Sequence, residues 1–187
     1  MNFWAIAGII AAYEGIIQIK EFDERHRYYN WARRYCDDVK KPLLRIGMRR
    51  SSLEPPSGDV TLDLDPEIEN VEGGVYGDVR DIPYPDKTFG VTFNEHVLEH
   101  LHTAGDVEAA ISECVRVADK TVLLCPSPYS IYASLFCPTH NLRLWFDAKN
   151  NKIVVRPNKW RTGMGYRAGI GQAIVIDEPI RLHIIIG

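Results

Sequence analysis

Three acidic positions in this chain each follow a short apolar run. Asp63 lies in Asp59–Leu64, Asp78 comes after Gly74–Tyr76, and Asn94-Glu95 comes after Gly90–Phe93. Runs of this length between turn residues read as strands. In an open α/β sheet, ligands sit beyond the carboxyl ends of the strands. The acids therefore converge on one edge, where carboxylates can accept hydrogen bonds from hydroxyls or an amine. A single Asp after a strand is usually a turn residue or a cap; three in order after three strands favour a site. Next to them, His96-Val97-Leu98-Glu99-His100 matches the H-x-x-E-H pattern, in which two histidines four apart share a helix face as zinc ligands must. No third ligand or hydrolase context accompanies it, and no metal is expected. Gly163-Met164-Gly165 with Gly169 and Gly171 imitates a phosphate loop, but a strand-like stretch follows where a helix is needed, so a hairpin loop is expected. No Ser-His-Asp or Cys-His nucleophile set is present.

Positioning these groups requires a folded core, and 187 residues suffice for one domain. Hydrophobic residues at 45% and charged residues at 25% are ordinary for a globular protein. The net charge of -3 gives no general attraction to nucleic acid, and none is expected as a partner. Cys36, Cys114, Cys125 and Cys137 form no C-x-x-C pair and read as reduced thiols of a cytoplasmic protein. Strands are expected over Pro42–Ile46, Asp59–Leu64, Gly74–Tyr76, Gly90–Phe93, Thr121–Cys125, Lys152–Arg156, Ala173–Ile176 and Arg181–Ile186. Helical periodicity covers Val97–Ala118, and helices are also expected over Tyr129–Phe136 and Asn141–Phe146. The order predicts an α/β sheet, mostly parallel, with an antiparallel C-terminal edge.

The N-terminus stands apart. Phe3–Ile19 is almost wholly apolar, interrupted by Glu14 and Gln18, and is marginal in length for a membrane span. Glu21–Val39 reads as a second, partly amphipathic helix ending before Pro42. Residues 1–41 are thus expected to form N-terminal helices that anchor to a membrane or dock on protein, and residues 42–187 the main domain. Residues 3–19 should be buried, in lipid or against protein, with the basic residues between Lys20 and Lys41 favouring a cytoplasmic main domain if the segment spans.

Gly77–Leu101 (GDVRDIPYPDKTFGVTFNEHVLEHL) resembles the middle of class I, Rossmann-like S-adenosylmethionine-dependent methyltransferases of the type 11 group. Ile82–Pro85 match that family's turn and Val97–Leu101 its Val-Leu-Glu-His-Leu segment. Val60–Pro66 is similar to its second strand, ECVRVADKTVLLCPSP to its helix and fifth strand, and Pro138–Phe146 to a later His-containing segment. The resemblance implies S-adenosylmethionine as cofactor, with Asp63 on the ribose hydroxyls, Asp78 and its neighbour Val79 at the adenine, and Gly47 and Asn94 beside the ligand. It implies methyl transfer to a small-molecule or lipid acceptor, with Glu95, His96 and His140 as candidate bases.

The first loop departs from the family. Gly-x-Gly-x-Gly is expected after the first strand, and the chain has Gly47-Met48-Arg49-Arg50-Ser51, with Arg45 where an acid usually stands. Large side chains at those positions crowd a ligand. Either Arg49 or Arg50 holds the cofactor carboxylate, or the chain is a non-catalytic methyltransferase-like subunit, for instance of a membrane complex. The links after the first two strands are also too short for full helices, which leaves a sheet face for the N-terminal helices or a partner to cover.

Overall fold

The computed structural model describes residues 2–127, 129–147, 152–158 and 173–176. The expected loop at Gly163–Gly171 and strand at Arg181–Ile186 lie outside them.

One continuous helix, α1 (Phe3–Val39), replaces the two expected at the N-terminus. Nothing between Ile19 and Glu21 breaks it; it ends where Lys40 turns left-handed (φ 58) before Pro42. Five strands then build a parallel sheet: β1 (Leu43–Ile46), β2 (Val60–Asp63), β3 (Gly74–Tyr76), β4 (Phe89–Glu95) and β5 (Ala118–Leu124). Their order is β3-β2-β1-β4-β5, so the chain reverses its direction of winding between β1 and β4. A short strand, β8 (Ala173–Ile176), pairs antiparallel with β5, giving the expected antiparallel edge. A separate hairpin joins β6 (Leu142–Asp147) to β7 (Lys152–Pro157). Asn141–Phe146 is therefore a strand and not the expected helix. Its period-2 pattern decides this: Leu142 and Leu144 are buried in the core, while Arg143 between them is only partly covered.

Helical periodicity over Val97–Ala118 resolves into two pieces. Leu98–His100 is a single 3-10 turn, and α2 (Ala104–Val117) begins afresh at a capping box. The Thr103 side chain accepts from the Asp106 amide, and Asp106 accepts from the Thr103 amide in return. The expected helix after β5 is one π-helical turn, Tyr132–Phe136.

Alternation along the strands sorts side chains onto two faces. On one face Leu44, Ile46 and Leu62 pack with α2 (Val107, Ala110, Ile111, Cys114) and with the β6–β7 hairpin. On the other, Leu43, Val91, Phe93, Val122 and Leu124 pack beneath Tyr29, Ala32 and Cys36 of α1. The helix comes close because Ala32 is small and Gly90 lacks a side chain. A Cβ at Gly90 would stand 2.9 Å from the Cys36 sulfur. The second half of α1 thus covers the face that the shortened links leave bare.

The first half does not. Phe3, Trp4, Ile9 and Ile19 are 59–78% exposed. Attachment begins at Tyr13, whose hydroxyl donates to the Tyr129 carbonyl. Glu14 accepts from the Ser130 hydroxyl (2.6 Å) and the Ile131 amide (2.8 Å), and Glu21 accepts from the Ser127 amide. Burial pushes Glu14 up, but those hydrogen bonds outweigh it and hold the carboxyl below its ordinary value. The acid that looked misplaced in an apolar helix caps the segment leaving β5.

Candidate functional site

All five parallel strands point their carboxyl ends the same way. Register places Ile46 beside both Leu62 and Asn94, Asp63 beside Tyr76, and Glu95 beside Leu124. Beyond those ends lies a cavity of about 460 Å³, lined by Ile46–Met48, Leu62–Leu64, Gly77, Val79, Arg80 and Glu95–Val97. Arg25, Arg50, Glu54, His100 and His102 complete its rim. It sits at the β1/β4 reversal, where open α/β sheets bind ligands, and its size falls within the roughly 300–1,000 Å³ of small-molecule sites.

The floor of the first loop is a buried guanidinium. Arg45 is 1% exposed and alternates onto the α1 face with Leu43. Its Nε donates to the Gly47 carbonyl (2.9 Å) and its Nη1 to the carbonyls of Pro55 (2.5 Å) and Pro56 (2.9 Å). Its Nη2 donates to Glu54 (3.2 Å) and pairs with Glu95 at 2.9 Å. Glu95 in turn pairs with Arg25 of α1 at 3.1 Å. Burial pulls Arg45 down and pushes Glu95 up, and the facing charges oppose both shifts. Tyr29 of α1 completes the clamp by donating to the Ser57 carbonyl. Loop 47–58 is thereby fastened at Gly47, Glu54, Pro55, Pro56 and Ser57, with no helix needed.

Gly47 keeps the role of a first glycine. Its φ is +94, and a Cβ there would stand 2.8 Å from Val97 Cγ2. Its amide donates to the Leu62 carbonyl, and the Met48 amide donates to Asp63 at 2.6 Å. Asp63 also accepts from the Asp65 amide (2.8 Å), so it caps the loop while facing the cavity. Arg49 turns its guanidinium to the Ser51 and Ser52 carbonyls and does not line the cavity. Arg50 does, paired with Asp65 at 2.7 Å.

The other expected site residues divide. Val79 lines the cavity, whereas Asp78 does not and is held in a two-oxygen pair with Arg80, whose hydrogen bonds keep its carboxyl below the ordinary range. Asn94 is wholly buried beside the Cys114 thiol, which burial pushes up to about 12. Glu95 reaches the cavity but is held by two arginines. His96 borders it in a left-handed conformation (φ 53), and burial pulls its imidazole down to about 3. His140 lies in a smaller neighbouring cleft with Glu99 and Ser127. Arg25, Glu54 and Arg80 were missed by sequence reasoning. Arg25 sits eighteen or more residues upstream of the sheet, and no local pattern signals that pairing.

Residues 60–125 match the profile of a family described as methyltransferase domain. With the sheet order above, the chain has the class I, Rossmann-like methyltransferase fold. The match supports S-adenosylmethionine as the cofactor and methyl transfer as the activity class. Among solved structures, a SAM dependent methyltransferase from Archaeoglobus fulgidus is similar at 21% identity, covering 65% of this chain and 72% of its own, with a TM-score of 0.45. The PH0226 protein from Pyrococcus horikoshii OT3 is similar at 12% identity, covering 67% and 69%, with a TM-score of 0.37. No curated protein matches the chain.

Removing the buried guanidinium should be costly. Arg45→Ala leaves Glu95 with Arg25 alone and three carbonyls without their donor, and breaking a buried pair costs about 3–5 kcal/mol. Urea denaturation should show that loss, and limited proteolysis should cut loop 47–58 first. A stability change below about 1 kcal/mol with an uncut loop would contradict the clamp.

Proposed function

We propose that the chain is an S-adenosylmethionine-dependent methyltransferase for a small acceptor that partitions into lipid. The observation that carries this is the cavity at the β1/β4 reversal, with Gly47 and Asp63 on its wall. Gly47 gives the close backbone approach that a ligand needs there, and each Asp63 oxygen keeps a lone pair for a hydroxyl. Val79 and Leu64 offer apolar cover on the same side. The residues present therefore fit the nucleoside part of the cofactor. Arg50 is the cation placed to meet its carboxylate, in exchange for Asp65. When bound, the cofactor supplies an electrophilic methyl group. The chain's own part is alignment and exclusion of water. His96, neutral at physiological pH, presents an unprotonated if weakly basic imidazole to an acceptor hydroxyl or amine. Glu95 and His140 remain candidates, but the first is engaged by Arg25 and Arg45 and the second faces the neighbouring cleft.

Residues 1–41 supply the lipid contact in this proposal, and residues 42–187 the chemistry. Tyr13, Glu14 and Glu21 are tied to Ser127, Tyr129, Ser130 and Ile131, so the part of the helix without such ties among the described residues is residues 3–12. That is about 15 Å of helix at 1.5 Å per residue, half of a hydrocarbon core of roughly 30 Å. It suits insertion along one interface of a cytoplasmic face better than spanning. Apolar side chains surround it on most sides, which lipid can cover and a protein groove cannot. Exposed Tyr132, Leu135 and Phe136 on the turn next to the Glu14 contact extend the surface.

A second reading has its own support. The Gly47 and Met48 amides and Asp78 are all engaged internally, as expected of a methyltransferase-like subunit without catalysis. Calorimetry with S-adenosylhomocysteine separates the two. Binding should be measurable, and Asp63→Asn should weaken it by about 1–3 kcal/mol. No binding would favour the non-catalytic subunit, and binding indifferent to Asp63→Asn would place the ligand elsewhere.

The lipid contact is tested with neutral phosphatidylcholine vesicles, because a net charge of -3 gives no help from anionic headgroups. The protein should co-sediment with them, and Trp4→Ser with Phe136→Ser should return it to the supernatant without changing its melting temperature. Wild-type protein that stays in the supernatant would overturn the assignment.

A further inference from the structure

A second polar cluster lies beside the cavity. Glu99, in the 3-10 turn Leu98–His100, is 2% exposed, and neither of its carboxylate oxygens has a hydrogen-bond partner among the described residues. His140 Nε2 approaches one of them to 3.8 Å, too far for a hydrogen bond. His140 Nδ1 lies 3.1 Å from the Ala133 carbonyl, and His100 Nδ1 lies 2.9 Å from the Thr139 carbonyl. A carbonyl only accepts, so each Nδ1 carries the proton and each Nε2 keeps its lone pair. That tautomer, fixed by a backbone carbonyl, is the one a metal-binding imidazole needs. One ligand-capable atom from each of Glu99, His100 and His140 lies within 4.8 Å of the other two.

A buried carboxylate without donors is costly. Protonation would not resolve this, because the carboxyl proton would need an acceptor and the imidazole nitrogen stands 3.8 Å away. A cation between the three groups satisfies all of them. We propose that Glu99, His100 and His140 bind a divalent transition-metal ion, with exposed His100 on the solvent side. Ligand bonds of about 2.0–2.2 Å put two tetrahedral ligands roughly 3.4 Å apart, so the Glu99–His140 gap needs to close only slightly. Two imidazoles and one carboxylate suit zinc, iron(II) or manganese; calcium and magnesium prefer oxygen ligands throughout. Three protein ligands leave a position open for water or another molecule.

The ligand set differs from the H-x-x-E-H pattern in the sequence. Leu98–His100 is a 3-10 turn, and His96 precedes it with φ 53, so His96 and His100 do not share an α-helical face. His140 takes the place of the first histidine. This site does not depend on the cofactor, so its test can succeed or fail regardless of methyl transfer.

The full chain is stripped with a chelator and titrated with zinc by calorimetry and with cobalt(II) by visible absorption. One equivalent of each should bind, cobalt developing ligand-field bands of nitrogen and oxygen donors. Glu99→Gln and His100→Ala should each weaken zinc binding by at least about tenfold, since losing even an outer partner costs that much. His26→Ala, on α1 outside the cluster, should leave it unchanged. His100 is exposed, so His100→Ala decides the matter even if Glu99→Gln fails to fold. Absence of one-to-one binding by the stripped wild type, or zinc affinity unchanged in His100→Ala, overturns the site.

Discussion

Arg45 carries a permanent charge into a place that water does not reach, and the structure around it is arranged to answer that charge. A guanidinium offers five donors in a planar fork. Here the fork meets three backbone carbonyls and two carboxylates, drawn from the first loop and from β4. The family it resembles shapes that loop with glycines and a following helix. In this chain, a cation in the strand below does the shaping by holding the loop's carbonyls. The arrangement needs Arg rather than Lys, because a point charge on three rotating donors cannot bind Gly47, Pro55, Pro56 and Glu54 at once.

That constraint propagates through Glu95 to α1. Arg25 supplies the second charge on Glu95, so the end of β4, the first loop and the N-terminal helix share one ion-pair cluster. Below it, Tyr29, Ala32 and Cys36 seal the sheet face, and Cys36, pushed up to about 11 by burial, is an inert part of that seal. All four cysteines are free thiols. The cavity opens on the side of this cluster away from the core. Its remaining polar groups are Arg50 of the loop, Asp63 of β2, Arg80 after β3 and the histidine-rich turn after β4, so two sites of different chemistry border one another.

Much of the sheet was legible because its strands are short apolar runs punctuated by Pro, Gly and Asp. β1 to β5, β7 and β8 follow from that pattern, as does the convergence of strand ends on one edge. The cover supplied by α1 was legible as a deficit: links too short for helices imply a bare face. What could not be read depends on contacts between distant residues. Arg45 looked like damage to a motif, since nothing nearby in sequence shows that its partners are Pro55, Pro56 and Glu95. Asp78 looked free until Arg80, two residues on, took both its oxygens. Glu14 looked wrong for its helix because its donors, Ser130 and Ile131, lie more than a hundred residues away. The β6 error was of another kind, since Leu142 and Leu144 already showed a period of two. The metal-like pattern contains Glu99 and His100 of the proposed site but not His140, because local spacing assumed an α-helix where the chain makes a 3-10 turn.

The central claim is that the Arg45 clamp replaces a glycine-rich loop while leaving the cavity open to the cofactor. A crystal structure of the chain with S-adenosylhomocysteine tests this directly. The account predicts the ligand between Gly47, Asp63 and Val79, with Arg45 still bonded to Gly47, Pro55 and Pro56 and paired with Glu95. A ligand bound away from Gly47 and Asp63, or a loop 47–58 that must leave Arg45 to admit it, would contradict the account.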